Sequence, residues 1–243
     1  MNTVVIIPAR YASTRLPGKP LLRRTGKYLI QHVTEAASAA TRVDGVYVAT
    51  DDQRIVEAVE SFGGQAIMTS ADCRTGSDRL AEAAKALGLA DEDIIVNVQG
   101  DEPDIPPECI DAVINALVSS EAPMATLATP ISAEDAEDPN RVKLVCDSYG
   151  MALYFSRAKI PYDRDHSRAG HYLLHLGVYA YRSEFLRLFT TLESTPAERS
   201  ESLEQLRALE HGYRIVVSEV DYDGAGIDTP ADYAAFVARA AAR

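Results

Sequence analysis

The sequence predicts an α/β protein with a mostly parallel sheet and a strand-rich insertion in its second half. Up to about residue 119, strand-like apolar runs alternate with amphipathic helical stretches, a pattern typical of βαβ units. After about residue 122 the strand-like runs lie closer together and are rich in Tyr, which favours antiparallel or mixed pairing. Because the sequence contains no internal repeat, low-complexity linker or heptad pattern, we expect residues 1–243 to form a single domain.

The predicted elements of the first half are bounded by turn residues and by residues that favour helix ends. The predicted strands are Thr3–Ile7, Gly45–Thr50, Gln65–Met68 and Asp93–Val98. The predicted helices are Tyr28–Ala40, Asp52–Phe62, Asp78–Leu87 and Pro107–Ser119. Pro106 and Pro107 suit the start of the last of these helices.

The second half is predicted to contain five strands, two helices and one long loop. The strands are Ala122–Thr129, Val142–Asp147, Met151–Arg157, Leu173–Tyr181 and Arg214–Val220, and the helices are Ser200–His211 and Pro230–Ala242. Pro, Asp, Arg and Gly between Lys159 and Gly170 predict the loop.

A basic N-terminal segment stands in an otherwise acidic protein. The chain has 24 Lys and Arg against 36 Asp and Glu, a net charge of -12, yet six basic residues and no acidic one precede Glu35. This reversal is expected where an acidic protein holds a small polyanion, whereas the net charge argues against nucleic acid and anionic membranes as partners.

The apolar run Val4–Ile7 is too short for a signal peptide or membrane span, so we expect a cytoplasmic protein without membrane insertion. The scattered Cys73, Cys109 and Cys146 are expected to be reduced thiols.

The loop after the first predicted strand, Pro8–Lys19, is the first candidate site, because ligands of open α/β sheets bind beyond the carboxyl ends of the strands. It is not a Walker A loop, since Ser13 stands where that pattern needs Gly and Pro20 follows the Lys. Arg10 and Lys19 suit paired phosphate oxygens such as those of a triphosphate. A solvated basic loop is the structural alternative.

Two acidic segments are candidates for a metal site. Asp101 follows the predicted strand that ends at Val98, and magnesium typically takes one or two protein carboxylates. Asp228 precedes the last predicted helix and would supply a second carboxylate. Asp101 could alternatively cap a turn. The alternative for the segment around Asp228 is that it serves only to cap the last helix, through Thr229.

Other groups of residues are ambiguous on their own. The segment Arg74–Arg79 suits either a nucleotide contact or a helix start capped by Ser77. A lone His such as His175 is most often simply hydrogen-bonded within a fold. Glu201, Glu204 and Arg207 have i,i+3 spacing and would also fit a solvated helix face.

Six strings, in order along nearly the whole chain, resemble the 3-deoxy-manno-octulosonate cytidylyltransferases, the CMP-Kdo synthetases. They are IPARYASTRLPGK (Ile7–Lys19), NVQGDEP (Asn97–Pro103), ALYFSRAKIP (Ala152–Pro161), HLGVY (His175–Tyr179), LEQLR (Leu203–Arg207) and GIDTPAD (Gly226–Asp232). A single motif is shared with many nucleotidyltransferases, but the six together are specific.

The resemblance implies a Rossmann-like nucleotidyltransferase fold, a glycosyltransferase-A-like three-layer sandwich. It implies transfer of CMP from CTP to the anomeric hydroxyl of the sugar acid Kdo, which gives CMP-Kdo and pyrophosphate for lipopolysaccharide biosynthesis. It also implies Mg²⁺ as cofactor and a homodimer that uses the region around residues 151–181.

The resemblance also assigns roles to individual residues. The implied nucleotide-binding residues are Pro8, Ala9, Arg10, Ser13, Lys19, Arg79 and Gln99. The implied sugar-binding residues are Gln99, Arg157, His175, Tyr179, Glu204 and Gln205. Asp101 and Asp228 would bind magnesium, and Arg10, Lys19 and Asp101 would be catalytic. The chain has Cys73 where relatives often have His.

Two other functions remain open at this point. Within the same class, the acceptor would be another acidic sugar, such as 8-amino-Kdo or a sialic acid. From a different class, a nucleotide-sensing protein would keep the basic loop without catalysing transfer. That sensor predicts a missing metal carboxylate, whereas Asp101 and Asp228 are both present.

Overall fold

The computed structural model describes residues 1–12, 16–165, 171–222 and 226–242. The strands are β1 (Thr3–Ala9), β2 (Gly45–Thr50), β3 (Gln65–Met68), β4 (Ile94–Asn97), β5 (Met124–Ile131), β6 (Lys143–Cys146), β7 (Ala152–Ser156), β8 (Tyr172–Arg182) and β9 (Ile215–Glu219). The helices are α1 (Leu29–Ser38), α2 (Gln53–Ser61), α3 (Gly76–Ala86), α4 (Pro107–Val118), α5 (Ser183–Phe189), α6 (Pro196–Glu201), α7 (Gln205–Glu210) and α8 (Pro230–Ala241). The chain divides into two compact units, Met1–Asp111 with Gly224–Arg243, and Ala112–Asp223.

A parallel sheet forms the centre of the first unit. Its strand order is β3-β2-β1-β4, and each neighbouring pair runs parallel. Val5, Ile6 and Ile7 of β1 are fully buried, as expected for a strand covered on both faces. Because parallel strands end at the same edge, the loops that follow β1 and β4 lie at the same edge of this sheet.

Side-chain caps set the starts of the helices in the first unit. Asp52 accepts a hydrogen bond from the backbone N of Arg54 at the start of α2. Thr75 and Asp78 form a reciprocal capping box, so α3 begins at Gly76, two residues before the predicted start. The alternative in which Ser77 caps this helix is therefore wrong.

Helix α8 packs against the beginning of the first unit. Thr229 is its N-cap, as predicted, and forms a capping box with Asp232. Tyr233 and Phe236 lie in an apolar cluster with Leu16, Leu29 and Ile227. The chain that enters α8 is thereby held beside the loop that follows β1.

The second unit is rich in strands of mixed direction, as predicted. β5 pairs antiparallel with β8 and parallel with β9, while β6 pairs antiparallel with β7 and β8. The seven-residue helix α5 was not predicted from the sequence.

The prediction of one helix over Ser200–His211 is wrong. Ser202 has φ 52° and ψ 49°, a left-handed conformation that ends α6 and separates it from α7. An L-residue cannot continue a right-handed helix through such a conformation.

The predicted α/β class, parallel pairing and mixed second half are confirmed, whereas the single domain over residues 1–243 stays a prediction. The loop from Lys159 contains no helix or strand as far as Asp165, and residues 166–170 lie outside the described ranges. Within those ranges, no helix is both long and apolar enough to cross a membrane. Cys73, Cys109 and Cys146 are free thiols, as predicted.

Candidate active site

A cavity of about 410 Å³ lies in the first unit, where the loops after β1 and β4 meet the chain that enters α8. The structure thus brings together predicted residues from distant parts of the sequence. The lining residues are Pro8, Ala9, Arg10, Ala12, Lys19, Pro20, Gly76, Gln99, Gly100, Asp101 and Asp228. Ser13 lies outside the described residues, so its predicted role stays a prediction.

Lys19 joins the two predicted metal-binding carboxylates. Its Nζ donates to Asp101 Oδ2 at 2.7 Å, to Asp228 Oδ1 at 3.3 Å and to the backbone oxygen of Ile227 at 2.9 Å. These three acceptors match the three donors of an ammonium group. The Lys19 side chain is only 15% exposed, so solvent screens its interaction with Asp101 less than it would screen a surface pair.

Close backbone contacts hold the loops of this cavity together. The Ile227 N–H donates to the backbone oxygen of Asp101 at 2.9 Å. A Cβ added to Gly100 would lie 3.0 Å from the backbone oxygen of Pro8, so a glycine allows the two loops to approach this closely. The relative positions of Lys19, Asp101 and Asp228 are therefore set by backbone packing as well as by charge.

Arg10 lies on the cavity wall and contacts the turn before α3. Its Nη2 donates to the backbone oxygens of Cys73 and Thr75. Because the contact uses the Cys73 carbonyl, it does not depend on which side chain stands at this position. Burial, and then a hydrogen bond with Glu82, raise the pKa of the Cys73 thiol to about 11, so this side chain is uncharged at neutral pH.

Arg79 is a predicted nucleotide-binding residue that the structure places in the protein interior. Its side chain is fully buried and donates to Asp51 Oδ2 at 2.9 Å and to Thr69 Oγ1. The described contacts are therefore structural, and the nucleotide-binding role stays a prediction.

Glu102 is a neighbour of the site that the sequence did not single out. It is buried, and burial, followed by the charge of the adjacent Asp101, raises the pKa of its carboxyl to about 7. Asp101, not Glu102, lines the cavity. The signal available in the sequence was an acidic pair directly after a buried strand.

The second unit contains an aromatic cluster around His175. The His175 ring lies 5.2 Å from that of Phe155 and 5.3 Å from that of Tyr179, and its Nε2 is 3.2 Å from Thr126 Oγ1. Burial lowers the pKa of His175 to about 3, so the ring is neutral at pH 7. Burial, then Tyr181 and Glu204, raise the pKa of Tyr179. The cluster therefore offers uncharged hydrogen-bonding groups.

The remaining predicted sugar-binding residues lie near the α6–α7 junction or contact it. Arg157 Nε donates to the backbone oxygen of Glu201 at 2.7 Å. Gln205 is buried, and its Nε2 has no hydrogen-bond partner in the described part of the chain. Such a donor costs free energy unless a ligand supplies an acceptor.

Arg207 lies beside this junction and is only 8% exposed, so the solvated-face alternative is wrong for it. It pairs with Glu198 through two nitrogens and with Glu204 at 3.4 Å.

A family model described as Cytidylyltransferase matches residues 4–215. The chain belongs to the cytidylyltransferase family. This cytidylyltransferase is 53% identical to the 3-deoxy-manno-octulosonate cytidylyltransferase of Idiomarina loihiensis, with 96% of each chain covered. It is 49% identical to the 8-amino-3,8-dideoxy-manno-octulosonate cytidylyltransferase of Shewanella amazonensis, again with 96% of each chain covered.

A solved structure of CMP:2-keto-3-deoxy-manno-octonic acid synthetase, complexed with CTP, has the same fold as this cytidylyltransferase. The TM-score is 0.95 at 45% sequence identity, with 100% of this chain and 99% of that chain covered. The family and the nucleotidyltransferase fold predicted from the six strings are therefore confirmed.

Proposed function

We propose that this cytidylyltransferase transfers CMP from CTP to the anomeric hydroxyl of Kdo, releasing pyrophosphate and supplying CMP-Kdo for lipopolysaccharide biosynthesis. The observation that carries the proposal is Lys19, held between Asp101 and Asp228 in a cavity that Arg10 and Gln99 also line. The relative from Idiomarina loihiensis, similar over nearly its whole length, supports the same reaction.

The first unit would bind the nucleotide. Arg10 offers a planar fork for two phosphate oxygens, and Lys19 offers a compact charge on a flexible stem. Pro8 and Ala9 also line the cavity. Positive side chains at this edge offset the charge of CTP, which the net charge of -12 would otherwise repel.

Asp101 and Asp228 would hold Mg²⁺. No group of three or more His, Cys, Asp or Glu side chains is arranged for a metal in the described ranges. Two carboxylates that converge on one ammonium nevertheless fit Mg²⁺, because this ion typically takes one or two protein carboxylates and completes its shell with water and phosphate oxygens. When bound, the ion would neutralise phosphate charge and lower the pKa of the attacking hydroxyl.

In the proposed reaction, the anomeric oxygen of Kdo attacks the α-phosphorus of CTP while the bond from that phosphorus to pyrophosphate breaks. The hydroxyl proton passes to a carboxylate oxygen of Asp101 or to water. Lys19 and Arg10 stabilise the charge that accumulates on pyrophosphate, and positioning of the two anionic substrates supplies much of the remaining acceleration.

Arg157, His175, Tyr179, Glu204 and Gln205 of the second unit would bind the sugar acid, while the role of Gln99 toward the sugar stays a prediction. Arg157 provides a cation for the sugar carboxylate, and the buried Gln205 amide provides a donor for a hydroxyl. Because His175 is neutral, it contributes a hydrogen bond rather than a charge.

Kdo is favoured over its close analogues as the acceptor. The 53% identical relative carries the Kdo name, whereas the relative named for 8-amino-Kdo is 49% identical. Release of pyrophosphate, measured with four ribonucleoside triphosphates and with Kdo, 8-amino-Kdo and a sialic acid, tests the proposal. We expect release with CTP and Kdo.

A matched pair of variants completes this experiment. Lys19→Met should lower release by about 100-fold, while Lys85→Met, at an exposed lysine of α3, should leave it unchanged. Binding of CTP without release by the unaltered protein would instead support the nucleotide sensor.

We place the reaction in the cytoplasm, where nucleoside triphosphates are available. The free thiols of Cys73, Cys109 and Cys146 are consistent with a reducing compartment. Recovery of the protein with a cytoplasmic marker after cell fractionation would test this location.

A further inference from the structure

We propose that Glu201 is a positioning residue that holds Arg157 in the orientation needed to bind the sugar acid. The inference rests on the proposed function, in which Arg157 and the neighbouring Glu204 and Gln205 bind Kdo. For Glu201 the sequence indicated only i,i+3 contacts on a helix face and no role toward the sugar acid.

Glu201 contacts the end of β7 through three hydrogen bonds. Its Oε1 accepts from Ser156 Oγ at 2.6 Å, and its Oε2 accepts from the backbone N of Arg157 at 2.9 Å. Its backbone oxygen accepts from Arg157 Nε at 2.7 Å. One glutamate therefore fixes both the backbone and the guanidinium of Arg157.

The surroundings restrict Arg157 from other directions. Lys143, which is fully buried, donates from Nζ to the backbone oxygen of Arg157 at 2.7 Å. Arg157 Nη1 donates to the backbone oxygen of Pro139 at 3.1 Å. Among the residues that the structure describes, no salt bridge joins the Arg157 guanidinium to a carboxylate. Backbone carbonyl groups thus orient the Arg157 guanidinium, and its positive charge stays available for an anion.

Glu201 also occupies a position that helix electrostatics disfavours. It is the last residue of α6, where the exposed carbonyl groups repel a negative charge. The next residue, Ser202, has a left-handed backbone, after which the chain leads directly to Glu204 and Gln205. A carboxylate at this position is explained by the hydrogen bonds it makes to β7 rather than by helix stability.

The other side of the junction is held separately. Arg207 pairs with Glu198 of α6 and with Glu204, so α7 is tied to α6 without Glu201. Loss of the Glu201 carboxylate removes the hydrogen bonds to Ser156 and to the Arg157 backbone N–H. It should therefore loosen Arg157 at the end of β7 while the packing of α6 on α7 persists. This separation makes the positioning role distinguishable from a general structural one.

Three variants of the full chain test the inference. Glu201→Ala removes both carboxylate hydrogen bonds. Glu201→Gln keeps an acceptor for the Arg157 N–H and a donor for Ser156 Oγ, so it should preserve the geometry. Glu210→Ala is the matched control, because exposed Glu210 accepts a hydrogen bond from the backbone N of Ala197 in α6 but lies at the far end of α7.

We expect Glu201→Ala to raise the KM for Kdo at least tenfold, with the KM for CTP changed by less than twofold. Glu201→Gln should restore the KM for Kdo to within threefold of the unaltered enzyme, and Glu210→Ala should match that enzyme. Hydrogen exchange of the peptide containing Arg157 should be faster only in Glu201→Ala.

An unchanged KM for Kdo in Glu201→Ala, or equal increases in both KM values, would overturn the inference while leaving the proposed function intact. Failure of the unaltered enzyme to turn over CTP and Kdo would overturn the proposed function, and the inference with it.

Discussion

Lys19 is the residue that connects the basic and acidic parts of the first-unit site. Its ammonium group is satisfied by Asp101, Asp228 and the Ile227 carbonyl, so it is in place before any substrate binds. In turn, Lys19 offsets the negative charge of both carboxylates. A variant of this lysine should therefore affect both catalysis and the response of the protein to cations.

For Lys19→Met, we expect pyrophosphate release to fall by about 100-fold, since in the proposed reaction this charge stabilises the departing pyrophosphate. We also expect Mg²⁺ to raise the thermal midpoint more in the variant than in the unaltered protein, because Asp101 and Asp228 would repel each other until a cation binds. Thermal unfolding with and without Mg²⁺ measures this difference, and Lys85→Met is the control. Equal responses to Mg²⁺ would show that the two carboxylates do not share a cation site.

His175 should make stability depend on pH. Its pKa is about 3 in the folded protein, below the ordinary value of 6.5. Between these two pH values, the unfolded chain binds a proton at His175 and the folded protein does not. The contribution of neutral His175 to stability is complete above pH 6.5 and is lost as the pH falls toward 3.

Comparison with His175→Gln isolates this effect. Between about pH 7.5 and about pH 5.5, the stability of the unaltered protein relative to the variant should fall by about 1.4 kcal/mol. Urea unfolding at the two pH values measures the difference. A difference that does not change with pH would mean that His175 titrates normally in the folded state.

Among single residues, the sequence could predict the site residues that directly follow a strand, because the strand end fixes where they lie. Arg10, Lys19 and Asp101 follow apolar runs, so the edge of the sheet on which they lie could be deduced. The contact of Glu201 with β7 could not be found in this way. Its partners Ser156 and Arg157 are 45 and 44 residues away in sequence, and no local pattern marks the contact.

Among the elements, the α6–α7 junction departs most from the predictions. Helical spacing continues through the junction, and no glycine or proline marks the break at Ser202, which is the only non-glycine residue with positive φ in the described ranges. The left-handed residue accompanies local helix-ending hydrogen bonds, in which the backbone N–H groups of Ser202 and Leu203 donate to the Glu198 oxygen. By contrast, β2 and β3 were predicted at their observed limits, because their apolar runs are bounded by clear turn residues.

Ser202→Gly should raise the free energy of unfolding by about 1 kcal/mol, because glycine adopts a left-handed conformation without the steric cost that serine bears. Ser200→Gly, in the helical part of α6, should lower it by a similar amount, since glycine is unfavourable within a helix. Urea unfolding of both variants tests the pair. Destabilisation by both substitutions would indicate that Ser202 carries no backbone strain.

For the whole molecule, the predicted homodimer is the property still to be measured. Leu153 and Tyr162, in the region around residues 151–181 that the resemblance implies for the dimer, are 60% and 82% exposed in the single chain. Large exposed apolar side chains are typical of surfaces that bind other proteins.

Light scattering should give a mass of twice the 26.4 kDa chain. Leu153→Glu should reduce the mass to that of one chain, because a charge would be buried in the interface. Leu188→Glu, at a 40% exposed residue of α5 outside the region, should not change it. A monomeric unaltered protein would contradict the predicted dimer.

The contribution of α8 to the first unit has a consequence for the order of synthesis. The first unit takes its final part from residues that follow the entire second unit, and Asp228 belongs to that part. While the ribosome is still translating the second unit, Lys19 and Asp101 already exist but Asp228 does not. With the role proposed for Asp228, we expect the nascent chain to stay inactive until α8 has emerged and docked, and a chain interrupted anywhere within the second unit to lack activity.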